Sequence, residues 1–200
     1  MKRILSLLLV LSFFAGTIFA QDANEPDIYE DDYEYLQNGP GDQFLKIELG
    51  AIFPLNFEGK LWPGVQATIG YYRFLNTWLA LGGEISVSSE FSIGNKALFM
   101  VPITFGAMAQ PTIGKFEFPF FLTMGIADHT WANMTYFPAF TLKAEAGAFY
   151  RFSESWSFGL TSFFMWTVET PDWPGKEGDF KGKDFHGLFQ TASLAVRYHF

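Results

Sequence analysis

From Phe44 to Phe200 the chain alternates apolar and polar positions with a period of two, in runs of about ten residues. The first run sets Leu45, Ile47, Leu49, Ala51 and Phe53 against Lys46, Glu48 and Gly50. Similar runs follow at 65–72, 79–88, 99–108, 118–127, 140–150, 157–166 and 191–200. Successive side chains of a strand point to opposite sides, so each run predicts a strand with two unlike faces. One face is bulky and apolar; the other carries Gly, Ala, Ser, Thr and a few charges. Short connections near Leu75–Thr77, Pro111–Lys115 and Ser153–Ser155 alternate with longer ones near Pro54–Pro63, Ser89–Lys96, Asp128–Phe137 and Thr170–Gly187.

Eight strands joined by alternately short and long connections predict an all-β fold, an eight-stranded antiparallel up-and-down transmembrane β-barrel with both ends on one side. About ten residues is the length a tilted strand needs to cross a bilayer core. Too few charges exist to coat an exterior, so the bulky face is expected to meet lipid and the small, polar face to fill a narrow lumen. The competing arrangement, a soluble lipocalin-like barrel with an apolar interior, would leave an outside of mostly Gly, Ser and Thr.

Composition sharpens this picture. Aromatic residues make up 20% of the 200 residues and charged ones 17%, with 25 Phe, 6 Trp and 8 Tyr. Two girdles of rings at headgroup level account for that load. Phe53, Trp62, Phe91, Trp131, Tyr136, Trp166 and Trp173 are expected at the rim of the long loops. Tyr71, Phe74, Trp78, Phe116, Phe118, Tyr150, Phe152, Trp156, Tyr198 and Phe200 are expected at the other rim. The absence of Cys excludes disulfides, thiolate metal sites and a Cys nucleophile. A net charge of −8 without a basic cluster argues against nucleic acid as a partner.

Residues 1–20 read as a cleavable export signal: Lys2 and Arg3, an apolar run from Ile4 to Phe14, then small residues up to Ala20. The run is short for a spanning anchor, which is the competing reading. Residues 21–43 hold eight acids (Asp22, Glu25, Asp27, Glu30, Asp31, Asp32, Glu34 and Asp42) and no base. Such a stretch reads as a disordered acidic leader rather than a cation site, since it lacks calcium-loop spacing. Export and the leader place the short-turn side of the 44–200 barrel in the periplasm. No metal site and no cofactor are expected.

By parity, six charges point inward: Lys46, Glu48, Glu84, Lys143, Glu145 and Arg197. Three of each sign is the balance a closed, ion-paired interior requires, because an isolated charge in a narrow lumen is costly. Met100, Met108, Phe121, Phe149, Phe163, Met165 and Phe189 face inward too, as core filler or as the floor of a small hydrophobic cavity.

Tyr72-Arg73-Phe74 with Trp78 is echoed by Tyr150-Arg151-Phe152 with Trp156, and the chain ends Tyr198-His199-Phe200. With the strand count, these features resemble the small outer-membrane β-barrels of Gram-negative-type, or diderm, bacteria: the OmpA membrane domain, OmpX and OmpW-like group. That resemblance implies insertion by the barrel-assembly machinery, reading Leu194, Val196, Tyr198 and Phe200 as an alternating terminal signal. It also implies outer-membrane lipid as the surroundings.

The function expected is that of an integral outer-membrane barrel with a structural or surface-interaction role and a narrow, ion-paired lumen. An extracellular ligand at the loops, for instance at Pro171–Lys183, is a further possible partner. The alternative is an OmpW-like, porin-like conduit for small hydrophobic ligands, with a lateral exit near Pro102 or Pro119. Enzymatic activity is not expected. A lipid-modifying barrel would need His, Ser and an acid together, whereas His129 and His186 have an Asp nearby but no Ser, and His199 lies at the periplasmic end.

Overall fold

The computed structural model describes residues 38–56, 61–91, 97–131, 134–169 and 185–200. Eight long strands form the wall: β1 (Gln43–Pro54), β2 (Gly64–Phe74), β3 (Leu79–Phe91), β4 (Ala97–Ala109), β5 (Phe120–Trp131), β6 (Met134–Arg151), β7 (Trp156–Glu169) and β8 (Phe185–His199). Each pairs antiparallel with its sequence neighbours. The β1–β8 ladder, running from Phe44↔His199 to Pro54↔Phe189, closes the sheet into a barrel. Closure leaves no free edge along the wall.

The period-two pattern is realised with the expected orientation. Ile47, Leu49, Ile69, Ile85, Ile103, Phe105, Leu122, Leu160 and Leu194 are exposed on the outer face, and Leu49 is 62% exposed. Their alternating neighbours are buried inside. A strand of 12 residues, rising ~3.3 Å per residue and tilted, spans roughly 30 Å, which matches a bilayer core.

Departures from strict alternation have local causes. Phe118 and Pro119 interrupt the fifth strand, because Pro119 has no N–H to give the ladder. The pairing with β6 nonetheless keeps one register across the gap, from Glu117↔Phe149 to Phe120↔Ala146. Thr112–Ile113 and Phe116–Glu117 form a small hairpin at this end, turning through Gly114 at φ 57°. The expected loop Asp128–Phe137 is instead largely strand. Ala127 faces Ala139 and His129 faces Tyr136, so Phe137 and Pro138 oppose Asp128 alone. This bulge shifts the alternation by one residue, and the pattern stops being readable in the sequence.

The girdle assignments need three corrections. Phe74 is 1% exposed and Tyr136 9%, both packed inside, and Trp131 packs against the interior cluster at the loop end. The Tyr-Arg-Phe echo is also not structurally equivalent: Tyr72 points inward and Arg73 outward, whereas Tyr150 points outward and Arg151 inward. The leader, expected to be disordered up to Gln43, is fixed from Asn38 onward. Asn38 is buried, and the Gly41 N–H donates to the Phe74 carbonyl at 2.8 Å. The export signal and the rest of the leader lie outside the described residues, as do Trp173 and Pro171–Lys183.

Candidate functional site

The lumen is filled in layers. At the end holding the chain terminus, Phe44, Tyr72, Phe74, Ala80, Met108 and Phe121 form an apolar layer. Phe44 stacks on Tyr72 with centroids 5.3 Å apart, and Phe121 meets Tyr72 edge-on at 5.0 Å. Two glycines make room for the rings. A Cβ on Gly82 would lie 2.5 Å from the Tyr72 ring, and one on Gly159 would lie 2.7 Å from the Phe149 ring.

Charges occupy the middle. Lys46 Nζ lies 3.0 Å from Glu48 and 2.6 Å from Glu145, and it also contacts Glu84. Lys143 Nζ bridges Glu84 and Glu145, the latter at 2.9 Å. Tyr72 donates its hydroxyl to Glu84 at 3.0 Å. Each cation also meets a ring: Lys46 lies 4.2 Å from the Phe121 centroid, Lys143 4.5 Å from Phe163, and Arg197 3.6 Å from Phe149. All these charged side chains are sealed from solvent. Carboxylate and ring together replace the hydration the ammonium groups lose.

Five of the six charges expected in the lumen, Lys46, Glu48, Glu84, Lys143 and Glu145, converge in this one cluster. Arg197 belongs to a second group. It donates to Gln110 at 2.8 Å and lies 3.5 Å from Glu117, whose other oxygen is 3.4 Å from Arg151. Arg151 also donates to Asn38 at 3.1 Å and to the Glu154 carbonyl. Adding Glu117 and Arg151 keeps the balance, now four cations against four carboxylates. Both additions follow the parity of their strands. Glu117 lies beyond the Pro119 interruption and Arg151 one residue past the expected end of its run, which is why the sequence reading left them out.

Toward the loops the lining becomes neutral and polar. Gln66 donates to Ser193 at 2.8 Å, and Thr68 contacts both Gln66 and Ser86. His129, expected at the surface of a loop, is instead 7% exposed in the lumen. Its Nδ1 lies 3.0 Å from Glu169 and its Nε2 3.1 Å from the Thr167 hydroxyl, which also accepts a hydrogen bond from Thr141. This relay ties β5, β6 and β7 together. Beside it lies an apolar cluster that includes Ile52, Leu61, Leu98, Met100, Met165 and Phe189, with Met100 paired to His129 and Met165 to Lys143. Glu90, missed because it lies past the expected end of its strand, is fully buried, paired in the ladder with Leu98 of this cluster.

His186 is exposed at the start of β8, and His199 is buried at the opposite end, 3.0 Å from the Ser157 hydroxyl. Leu194, Val196, Tyr198 and Phe200 line the outer face at the end of the chain, with Phe200 55% exposed. Among the described residues no group of three or more His, Asp or Glu is placed to hold a metal ion.

The model of an uncharacterized Treponema family matches residues 21–198. The chain belongs to that family. Two uncharacterized proteins of Treponema pallidum (strain Nichols) are similar to it. One is 28% identical, with 80% of this chain and 78% of that protein covered. The other is 22% identical, with 83% of this chain covered but only 58% of that protein. Among solved structures, Neisserial surface protein A matches 79% of this chain and 98% of its own at a TM-score of 0.61 and 10% identity. OprG from Pseudomonas aeruginosa matches 82% and 98% at 0.50 and 11%. Ail, the attachment invasion locus protein of Yersinia pestis, solved with the heparin analogue sucrose octasulfate, matches 80% and 99% at 0.50 and 11%. At these identities the likeness is one of fold: the family member described here is a small eight-stranded barrel of the outer-membrane type.

Proposed function

We propose that this protein is an integral outer-membrane barrel of a diderm bacterium, with a structural or surface-interaction role and a lumen that conducts nothing. The observation that carries this reading is the opposition of the two faces. The outer wall exposes Ile, Leu, Phe and Met around the barrel, while the inner wall holds four paired cations and four paired carboxylates. A water-soluble protein exposing such a belt would aggregate, whereas lipid solvates it. Export by the signal, a leader in the periplasm and insertion by the barrel-assembly machinery through Leu194, Val196, Tyr198 and Phe200 belong to the same reading.

Support for a surface role comes from the fold neighbours, one being a Neisserial surface protein and another an attachment invasion locus protein. A conduit for small hydrophobic compounds has less support, because cross-linked ions and an apolar layer occupy the axis. No enzymatic activity is assigned. The test is extraction and conductance. The protein should remain with the outer-membrane fraction after alkaline washing and need detergent to stay dispersed, and planar bilayers containing it should show no steady openings. A detergent-free soluble monomer would overturn the membrane role, and steady openings would overturn the closed lumen.

A further inference from the structure

At the short-turn end the outer wall carries an aromatic row, and just beyond it the surface turns polar. The register aligns Trp156, Tyr198, Leu45, Tyr71 and Gly83 across β7, β8, β1, β2 and β3. Two residues nearer the turns, about 6–7 Å along the strands, Gln43 and Arg73 sit opposite each other on β1 and β2. Both point outward by parity; Arg73 is exposed and Gln43 half-buried. Lys46, Lys143, Arg151 and Arg197 are buried in the lumen, so among the described residues Arg73 is the one base on the outer face of a long strand.

The two side chains offer donors. Tyr71 gives its hydroxyl to Gln43 Oε1, which engages the amide oxygen and leaves the NH2 end to donate. Arg73 Nη2 lies over Gly41, where a Cβ would be 4.0 Å away, and the turn at φ 101° brings no side chain of its own. The neighbouring carboxylate, Asp42, accepts the Gly39 N–H at 2.6 Å instead of pairing with Arg73. One row nearer mid-membrane, Gly83 stands between Tyr71 and Phe105, and these two exposed rings flank a notch where its side chain would be.

A row of amphipathic rings marks the membrane–water interface, so the next row out stands at headgroup level. A guanidinium beside an amide NH2 matches the oxygens of a phosphate. We propose that Arg73 and Gln43 bind the headgroup phosphate of a phospholipid in the leaflet at the short-turn end, with one acyl chain lying over Gly83 between Tyr71 and Phe105. The ligand class is set by these groups: an oxyanion for the donor pair and a slender apolar tail for the notch. Free phosphate satisfies the first requirement and not the second. The site rests on the membrane role proposed above.

The test is native mass spectrometry of the full-length protein released from neutral alkyl-maltoside micelles, with two lipids of the same acyl chains: dioleoyl phosphatidylglycerol and the phosphate-free dioleoyl galactosylglycerol. The phospholipid should be retained about tenfold more strongly, the factor a charge-assisted contact supplies. Arg73→Gln should bring it to the level of the glycolipid and leave glycolipid binding unchanged, which also shows that the variant is folded. Arg73→Lys should keep part of the preference, since an ammonium holds a phosphate without the fork of a guanidinium. Inorganic phosphate in large excess should leave the phospholipid bound; displacement overturns a lipid as the ligand. A preference that survives Arg73→Gln overturns the proposal. So does one that appears only after Glu30, Asp31, Asp32 and Glu34 are changed to the amides, because the leader would then fill the site. Equal retention of the two lipids overturns this site and leaves the membrane role standing, whereas a protein that binds neither and stays dispersed without detergent overturns both.

Discussion

Glu84 and Glu90 lie on the same inward face of β3, six residues apart, and both are sealed from solvent. Glu84 contacts Lys46 and Lys143 and accepts the Tyr72 hydroxyl. Glu90 has a single hydroxyl, that of Ser88, among the described residues. Burial is therefore the same at the two positions, and the partner set is what differs. In a lumen too narrow for bulk water, the partner set decides whether a charge organises its surroundings or is merely carried by them. The middle of the barrel is a network that cannot lose a member cheaply, while Glu90 near the loop end has no cationic partner among the described residues.

The largest effect expected follows from removing a shared member of the network. Glu84→Gln leaves Lys46 and Lys143 buried with one carboxylate fewer between them. Loss of about 3–5 kcal/mol is expected, the usual cost of orphaning a buried charge. Urea unfolding of vesicle-inserted protein, followed by tryptophan fluorescence, measures it. Pairing Glu84→Leu with Lys143→Met should recover much of that loss, because it removes one charge of each sign. If the double variant is no better than the single one, the charges do not act as a unit.

Nearly all of this network was legible in the sequence, and for one reason. Strand periodicity is an integer, so a single correct assignment such as Lys46 inward and Ile47 outward fixes every other position in its run. What escaped lies where that integer fails or where a run was stopped early. Pro119 interrupts the ladder and hid Glu117. The bulge opposite Asp128 moved the register of the partner strand and hid Tyr136, while His129 sits two residues past the end assigned to its run, its parity already inward. Arg151 and Glu90 sit one and two residues past the ends assigned to their strands, yet their parity already points inward. The partners themselves were not legible. Lys46 and Glu145 are 99 residues apart, and only closure of the barrel brings them to 2.6 Å.

The next effect tests the other side of the wall. Leu49→Arg places a cation among lipid-facing side chains near mid-strand, and a loss of about 2–4 kcal/mol is expected at the bilayer midplane. The same unfolding measurement applies. A change within about 0.5 kcal/mol would mean that Leu49 faces water, as ordinary surface substitutions do.

A smaller effect is expected where a glycine supports the network indirectly. Gly159→Ala pushes a methyl group against the Ala148 backbone carbonyl as well as the Phe149 ring, and that ring covers the Arg197 guanidinium at 3.6 Å. Overpacking of this kind costs about 1–3 kcal/mol. Adding Phe149→Leu should restore only the ring's share of the loss, because the Ala148 carbonyl stays in place. If the second substitution instead adds a full independent loss, the ring and the glycine are not coupled.

The smallest effect closes the comparison between the two glutamates. Glu90→Gln is chemically the same change as Glu84→Gln, made three repeats of the pleat closer to the loops. It strands no described cation, it keeps an oxygen to accept the Ser88 hydroxyl, and it removes a charge from apolar surroundings. The expected outcome is a stability within about 0.5 kcal/mol of the unaltered protein, or a gain. Unfolding both variants side by side gives the contrast directly. Equal losses at the two positions would show that Glu90 has a cationic partner as strong as those of Glu84, and the distinction between the two glutamates would not survive. A neutral Glu90→Gln beside a costly Glu84→Gln would mean that β3 carries a structural carboxylate and, six residues on, one that the fold does not need.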